Sequence, residues 1–193
     1  MTRVLWVLRH AKTVADPPPG GTDHERTLAP RGRRDADALG RRLATDRLGM
    51  DPGDVPLPEL VLCSTATRTR QTVELVLAGS AVAPSANPPA HPPSSPLSGP
   101  LVDFRRAIYY ASPDQVLAEM RTVPDDVRSV MVVGHNPTAH ALAAGLGTDD
   151  DRLALEERGF PTCAVAVFRL PDGRWSDVAE QTGQMVGLFS PPY

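Results

Sequence analysis

With 193 residues, the chain is long enough for one well-buried core and too short for two comfortable domains, so a single domain over 1–193 is expected. Hydrophobic residues at 41% and charged residues at 22% exclude a disordered chain, and no apolar run approaches the about 20 residues that a membrane span demands. A net charge of -3 gives no general reason to expect nucleic acid or acidic lipid as partner, so any anion site must be local.

The first element is the apolar run Val4-Leu5-Trp6-Val7-Leu8, which reads as a strand buried on both faces. It ends in Arg9-His10-Ala11-Lys12. Polar residues here leave no uninterrupted apolar centre for a signal peptide, and a cytoplasmic location is expected. From Thr13 to Glu25, proline, glycine and aspartate predict a loop beside this strand end. A helix is expected from about Arg33 to Leu48, with Ala36, Leu39, Leu43 and Leu48 near one face and Gly49 as its stop.

Leu60-Val61-Leu62-Cys63 reads as a second short strand. It runs into the polar cluster Ser64 to Thr72, which opens a helix through about Leu77, with Ser64 or Thr65 as its cap. Residues 78–100 hold seven prolines, all between 84 and 100, and predict an exposed surface excursion; a polyproline ligand for another protein is one reading of it. The rhythm resumes at Leu101-Val102-Asp103, and Ser112-Pro113 marks the start of a helix through about Thr122. Ser129 to Val133 reads as a third buried strand, ending in Gly134-His135-Asn136-Pro137, with Asn136 expected to cap the helix that follows. Thr148 to Asp151 reads as an acidic turn, and Cys163–Leu170 with Trp175–Glu180 as a hairpin at the sheet's edge.

Three buried strands thus end in polar clusters, at Arg9-His10, at Ser64 to Arg68 and at His135. Strands alternating with helices predict a three-layer α/β/α sandwich with a mostly parallel central sheet, whose strand carboxyl ends share one edge where ligands bind. Two arginines and two histidines gathered there make a cationic pocket suited to a phosphoryl group. Arginine is permanently charged and matches phosphate oxygens bidentately, so Arg9 and Arg68 are candidate phosphoryl ligands. A neutral imidazole offers one ring nitrogen for attack while the other donates its proton, which suits His10, and His135 is a candidate donor near a helix N-terminus. Cys63 and Cys163 lack metal-ligand spacing and read as buried thiols rather than a disulfide. His135 and His140 do not have the spacing of a metal motif either, and no metal or other cofactor is expected. Arg3, Arg33 and Arg34 need only be surface charge, and no role is expected for His24, His91 and His140.

In order along the chain, Arg9-His10-Ala11-Lys12, Ser64-Thr65-Ala66-Thr67-Arg68 with Gln71-Thr72, and Val133-Gly134-His135-Asn136-Pro137 resemble the histidine phosphatase (phosphoglycerate mutase-like) superfamily. The segment from Asp23 to Leu28 through Arg31-Gly32, and Tyr110-Ala111-Ser112-Pro113, resemble its small bacterial SixA-type phosphohistidine phosphatases. The resemblance implies the fold of that superfamily and a metal-independent phosphatase. His10 would become phosphohistidine, and Arg9, Arg68 and His135 would bind and polarise the phosphoryl group. The implied substrate is a phosphohistidine-bearing protein; the alternatives are a small phosphate ester, turned over by a phosphomonoesterase or mutase, and a non-catalytic phosphoprotein-binding module. Two departures stand out. Thr65 replaces a usual proline, and no glutamate matches the proton donor of larger members. Asp16, Asp23, Glu25 and Asp103 are the possible stand-ins, each also readable as loop charge or a structural partner.

Overall fold

The computed structural model describes residues 2–51, 53–80 and 100–193. Its centre is a six-stranded sheet in the order β3-β2-β4-β1-β5-β6. The strands are β1 (Arg3–Arg9), β2 (Leu60–Ser64), β3 (Leu101–Arg105), β4 (Ser129–Gly134), β5 (Val165–Leu170) and β6 (Gln184–Phe189). The first four in chain order pair in parallel, β5 runs antiparallel to β1, and β6 antiparallel to β5.

Alternating side chains of β1 enter two separate cores, which explains why the strand reads as a continuous apolar run. Val4, Trp6 and Leu8 pack with Ala36, Leu39 and Leu43 of helix α1 (Pro30–Thr45) and with Val73 and Val76 of α2 (Thr67–Ser80). Leu5 and Val7 face the other layer, built from α3 (Pro113–Met120), α4 (Thr138–Leu146) and α5 (Asp149–Arg158). The expected three-layer sandwich is therefore the observed one. Trp6 is wholly buried, and its indole N–H donates to Ser129 Oγ at 3.2 Å, so the core carries no orphaned indole donor.

Helices α1 and α2 approach so closely that glycine is required at their crossing. A Cβ at Gly40 would lie 2.3 Å from the Val76 carbonyl oxygen, and one at Gly79 2.7 Å from that of Asp37.

Several expectations need correction. Helix α1 begins at Pro30 and ends at Thr45, because proline is at home in a first helical turn; Leu48 is buried from a left-handed backbone in the short 3-10 turn Arg47–Gly49, not from the helix. Helix α2 starts later and reaches Ser80, and α3 stops at Met120. The acidic stretch after Thr148 is helix α5, since the Thr148 hydroxyl accepts from Asp151 N and Asp151 Oδ2 accepts from Thr148 N. The partner of β5 is β6 rather than Trp175–Glu180, whose Trp175 is instead buried in the core. Arg3 is buried too, bonded to Asp125 and set over the Trp175 ring. Cys63 and Cys163 are buried free thiols, as expected. Most of the proline-rich stretch, 81–99, and His91 within it lie outside the described residues. Among the described residues no helix is long and apolar enough to cross a membrane.

Candidate active site

Strands β2, β4 and β1 are neighbours, so their carboxyl ends lie side by side. Arg9 pairs with Gly134 across β1 and β4, and Cys63 with Val133 across β2 and β4. The residues just beyond, His10, Ser64 and His135, are thereby brought to one point of the sheet edge. The ring centroids of His10 and His135 are 5.2 Å apart.

His10 is held by its backbone and its ring. Its N–H donates to the Gly134 carbonyl, and its own carbonyl accepts from Cys163 N, both at 3.0 Å. Ring Nδ1 lies 2.8 Å from the Ala11 carbonyl oxygen. A carbonyl only accepts, so Nδ1 carries the proton and Nε2 keeps its lone pair. Burial pushes the imidazole down to about 4; the Ala11 carbonyl opposes this, while Arg68, Arg9 and Arg26 add to it. At neutral pH the ring is uncharged.

The turn that follows is braced from two sides. Ala11 N donates to Thr72 Oγ1 at 3.0 Å, and that hydroxyl donates to the Arg68 carbonyl at 2.7 Å. Lys12 O accepts from Ala29 N just before α1. A Cβ at Gly32 would sit 2.1 Å from this same oxygen, so glycine is needed there for α1 to dock against the His10 turn.

Arg68 is buried at 7% exposure, with donors aimed in three directions. Nη1 donates to the Asp23 carbonyl at 2.7 Å and Nη2 to Asp23 Oδ2 at 3.0 Å. Nε donates to Nδ1 of His135 at 3.2 Å. His135 is therefore unprotonated at Nδ1, and its Nε2–H donates to Ser64 Oγ at 2.8 Å. Burial, then Arg68 and His10, push His135 down to about 3.

Arg9 donates from Nη1 to the Phe160 carbonyl at 2.8 Å, and its Nε is buried without an acceptor among the described residues. Asn136 donates to the same carbonyl at 3.0 Å. It thus anchors the loop that holds Arg9 instead of capping α4, whose N-cap is Pro137.

The loop 13–29 brings residues with little sequence signal. A 3-10 turn, Asp23–Glu25, is closed by Glu25 Oε2 accepting from Thr22 N and Thr22 Oγ1. Asp23 accepts from Arg26, Arg68 and Tyr109; although burial raises it, bonds from Arg26, Tyr109 and Arg68 hold its carboxyl down at about 2. Tyr109 stands edge-on to His135 at 5.4 Å and to His24 at 4.7 Å, and His24 Nε2 meets Thr65 Oγ1 at 2.9 Å. Arg26 fixes the loop through Thr13 and Val14.

All four expected residues, Arg9, His10, Arg68 and His135, thus belong to one strand-end cluster. Of the possible stand-in acids, Asp23 reaches it; Asp103 pairs with Arg105, and Glu25 closes the 3-10 turn. Ser64, His24, Asn136 and Tyr109 were not legible as site residues. Ser64 was readable only as a cap, and its hydroxyl lies at a long 3.4 Å from Ala66 N while turned to His135. Among the described residues no group of three or more His, Cys, Asp or Glu could hold a metal ion.

Comparison with known proteins adds the family. The model of the histidine phosphatase superfamily (branch 1) matches residues 5–88, which include His10 and Arg68; His135 lies beyond the match. An uncharacterized protein of Mycobacterium tuberculosis is 36% identical over 188 residues, covering 95% of this chain and 99% of that protein. A candidate phosphohistidine phosphatase SixA from Nakamurella multipartitia is 28% identical with a TM-score of 0.73, covering 100% of this chain and 98% of the other. Its counterpart from Agrobacterium tumefaciens is 28% identical with a TM-score of 0.69, each chain covered to 98%. On these matches, and on a sheet whose central strands carry the motifs at their carboxyl ends, the chain belongs to the histidine phosphatase superfamily.

Proposed function

We propose that the chain is a metal-independent phosphatase working by double displacement through phospho-His10, with a protein-borne phosphohistidine as substrate. The observation that carries the reading is the geometry of His10. Its Nδ1–H is fixed on the Ala11 carbonyl, its Nε2 has no hydrogen-bond partner among the described residues, and Arg68 and His135 stand beside it.

In the first step the Nε2 lone pair forms a bond to phosphorus while the bond from phosphorus to the substrate's ring nitrogen breaks, its electron pair returning to that nitrogen. If the far nitrogen of the substrate ring is protonated, the ring leaves as neutral imidazole. Because His10 keeps its Nδ1–H, phospho-His10 carries a positive ring and is itself primed to leave. In the second step a water oxygen bonds phosphorus, the bond to Nε2 breaks with its pair returning to His10, and the water's proton passes to phosphate or solvent. Arg68, through the donor protons not used on Asp23, and Arg9, through its unpartnered Nε, would stabilise charge on the non-bridging oxygens. His135 would contribute its Nε2–H, shared with Ser64.

The leaving group is argued from Asp23. This carboxyl contacts Arg68, yet it is held ionised down to about 2 and serves as an acceptor, so it is a poor acid for protonating an alkoxide. A ring nitrogen needs less help, and relatives at 28% identity are described as candidate phosphohistidine phosphatases. The test compares turnover of a phosphohistidine protein with a panel of sugar phosphates and phosphoglycerates. Preferred hydrolysis of the phosphohistidine protein is expected; turnover of the esters alone would move the assignment to a small-molecule phosphomonoesterase or mutase.

A further inference from the structure

Next to the His10 cluster lies an open cavity of about 410 Å³ whose walls include Asp23, His24, Glu25, Arg106, Tyr109 and Tyr110. It begins where the phosphoryl-binding groups end. Asp23 bonds Arg68, the Tyr109 ring lies 5.6 Å from the Arg68 guanidinium, and the same ring stands edge-on to His135. Asp23 and Tyr109 are thus shared between the cavity wall and the surroundings of Arg68 and His135, so a phosphoryl group held by those two residues would have this space beside it.

The walls have a definite chemistry. Tyr109 is held in place by its hydroxyl donating to Asp23 Oδ2 at 2.8 Å and by the His24 ring at its edge. Tyr110 packs against Tyr109 with ring centroids 4.1 Å apart, yet is 84% exposed. An exposed tyrosine on a cavity rim offers an open aromatic face, and such a face prefers a flat or cationic guest. Two carboxylates, Asp23 and Glu25, add negative charge. Glu25 uses Oε2 to close its own turn, and Oε1 has no hydrogen-bond partner among the described residues. An alkoxide leaving beside these carboxylates is opposed by their charge, whereas a ring carrying an N–H and a positive charge is favoured by it.

We propose that this cavity is the leaving-group subsite and takes the imidazole ring of a phosphohistidine, with the ring against Tyr110 and its far N–H on Glu25 Oε1. Tyr110 and Glu25 are then specificity-determining residues. The carboxylate favours the protonated ring, so that cleavage of the phosphorus–nitrogen bond releases neutral imidazole rather than its anion. The exposed rim formed by Tyr110 and Arg106 leaves room for the polypeptide that bears the ring. This inference rests on the phosphatase reading above and adds to it the groups that read the leaving group.

The test uses two substrates with the same bond to phosphorus, a phosphohistidine peptide and phosphoramidate, which has no ring. For Tyr110→Ala, kcat/KM on the peptide is expected to fall about 10-fold, mostly through KM, while phosphoramidate turnover changes less than about twofold. Glu25→Gln is expected to act in the same direction, more through kcat. Tyr110 is too exposed for its loss to threaten folding, and thermal melting checks both variants. An equal fall on both substrates, or no fall on either, overturns the subsite while leaving the phosphatase reading intact. Failure of the wild-type chain to form a phosphoenzyme from either substrate overturns both.

Discussion

The Nε–H of Arg68 donates to Nδ1 of His135 at 3.2 Å, and this one bond decides where the His135 proton sits. With Nδ1 occupied as an acceptor, the ring must present Nε2–H toward Ser64 Oγ and the His10 side of the site. Arg68 is thus both a candidate phosphoryl ligand and the group that sets the tautomer of its neighbour. Arg68→Lys keeps the charge but loses the Nε donor and the fork on Asp23. Activity on any substrate is expected to fall at least about 100-fold, by the loss of about 2.7 kcal/mol of transition-state stabilisation. A fall of only a few-fold would mean that charge alone suffices.

Ser64→Ala removes the acceptor of the His135 Nε2–H from a position with no solvent exposure. A lost hydrogen bond of about 1 to 1.5 kcal/mol corresponds to about a 10-fold drop in kcat/KM. Steady-state kinetics checks it, with circular dichroism to establish that the fold is retained. Unchanged kinetics would show that His135 is oriented by Arg68 without Ser64.

Buried, neutral histidines give the protein a pH-dependent stability whose sign is fixed. His10 is held at about 4 and His135 at about 3, both below the 6.5 of the unfolded chain. Between those values the unfolded chain binds protons that the folded chain does not, so stability rises with pH and is lost as pH falls from about 6.5 toward 4. At pH 5 each ring costs about 2 kcal/mol relative to neutral pH. The urea midpoint is expected to drop between pH 7.5 and 5, and to drop less in His10→Asn. In NMR, the ring protons of these two histidines should not titrate between pH 8 and 5.5; a midpoint near 6.5 for either would contradict the burial argument.

Gly40→Ala places a methyl group 2.3 Å from the Val76 carbonyl oxygen and forces α1 and α2 apart. Overpacking of this kind costs about 1 to 3 kcal/mol, a fall in Tm of about 2 to 4 °C for each. Gly32→Ala meets Lys12 O in the turn after His10, so it should reduce activity beyond what its melting temperature explains. Calorimetry and kinetics on the same samples separate the two effects.

What the sequence makes legible follows its strongest physical signals. Val4 to Leu8 reads as a two-faced buried strand because both faces of β1 meet helices, and the three polar strand ends converge because β2, β4 and β1 are parallel neighbours. Helix α5 is hard to read because its acidic first turn resembles solvated loop, although Thr148 and Asp151 form a capping box that is a local signal for it. Strand β6 is not legible because only the fold pairs it with β5. The roles of Ser64, His24, Asn136 and Tyr109 depend on contacts between residues 24 to 86 positions apart, which no local pattern encodes.

The central claim is that His10 is transiently phosphorylated. The most direct measurement is mass spectrometry of the chain, quenched under alkaline conditions within milliseconds of mixing with a phosphohistidine protein. A phosphoryl group on His10, absent in His10→Ala together with all turnover, is the result expected. Turnover that survives in His10→Ala, or a phosphoryl group trapped on any other residue, would contradict it.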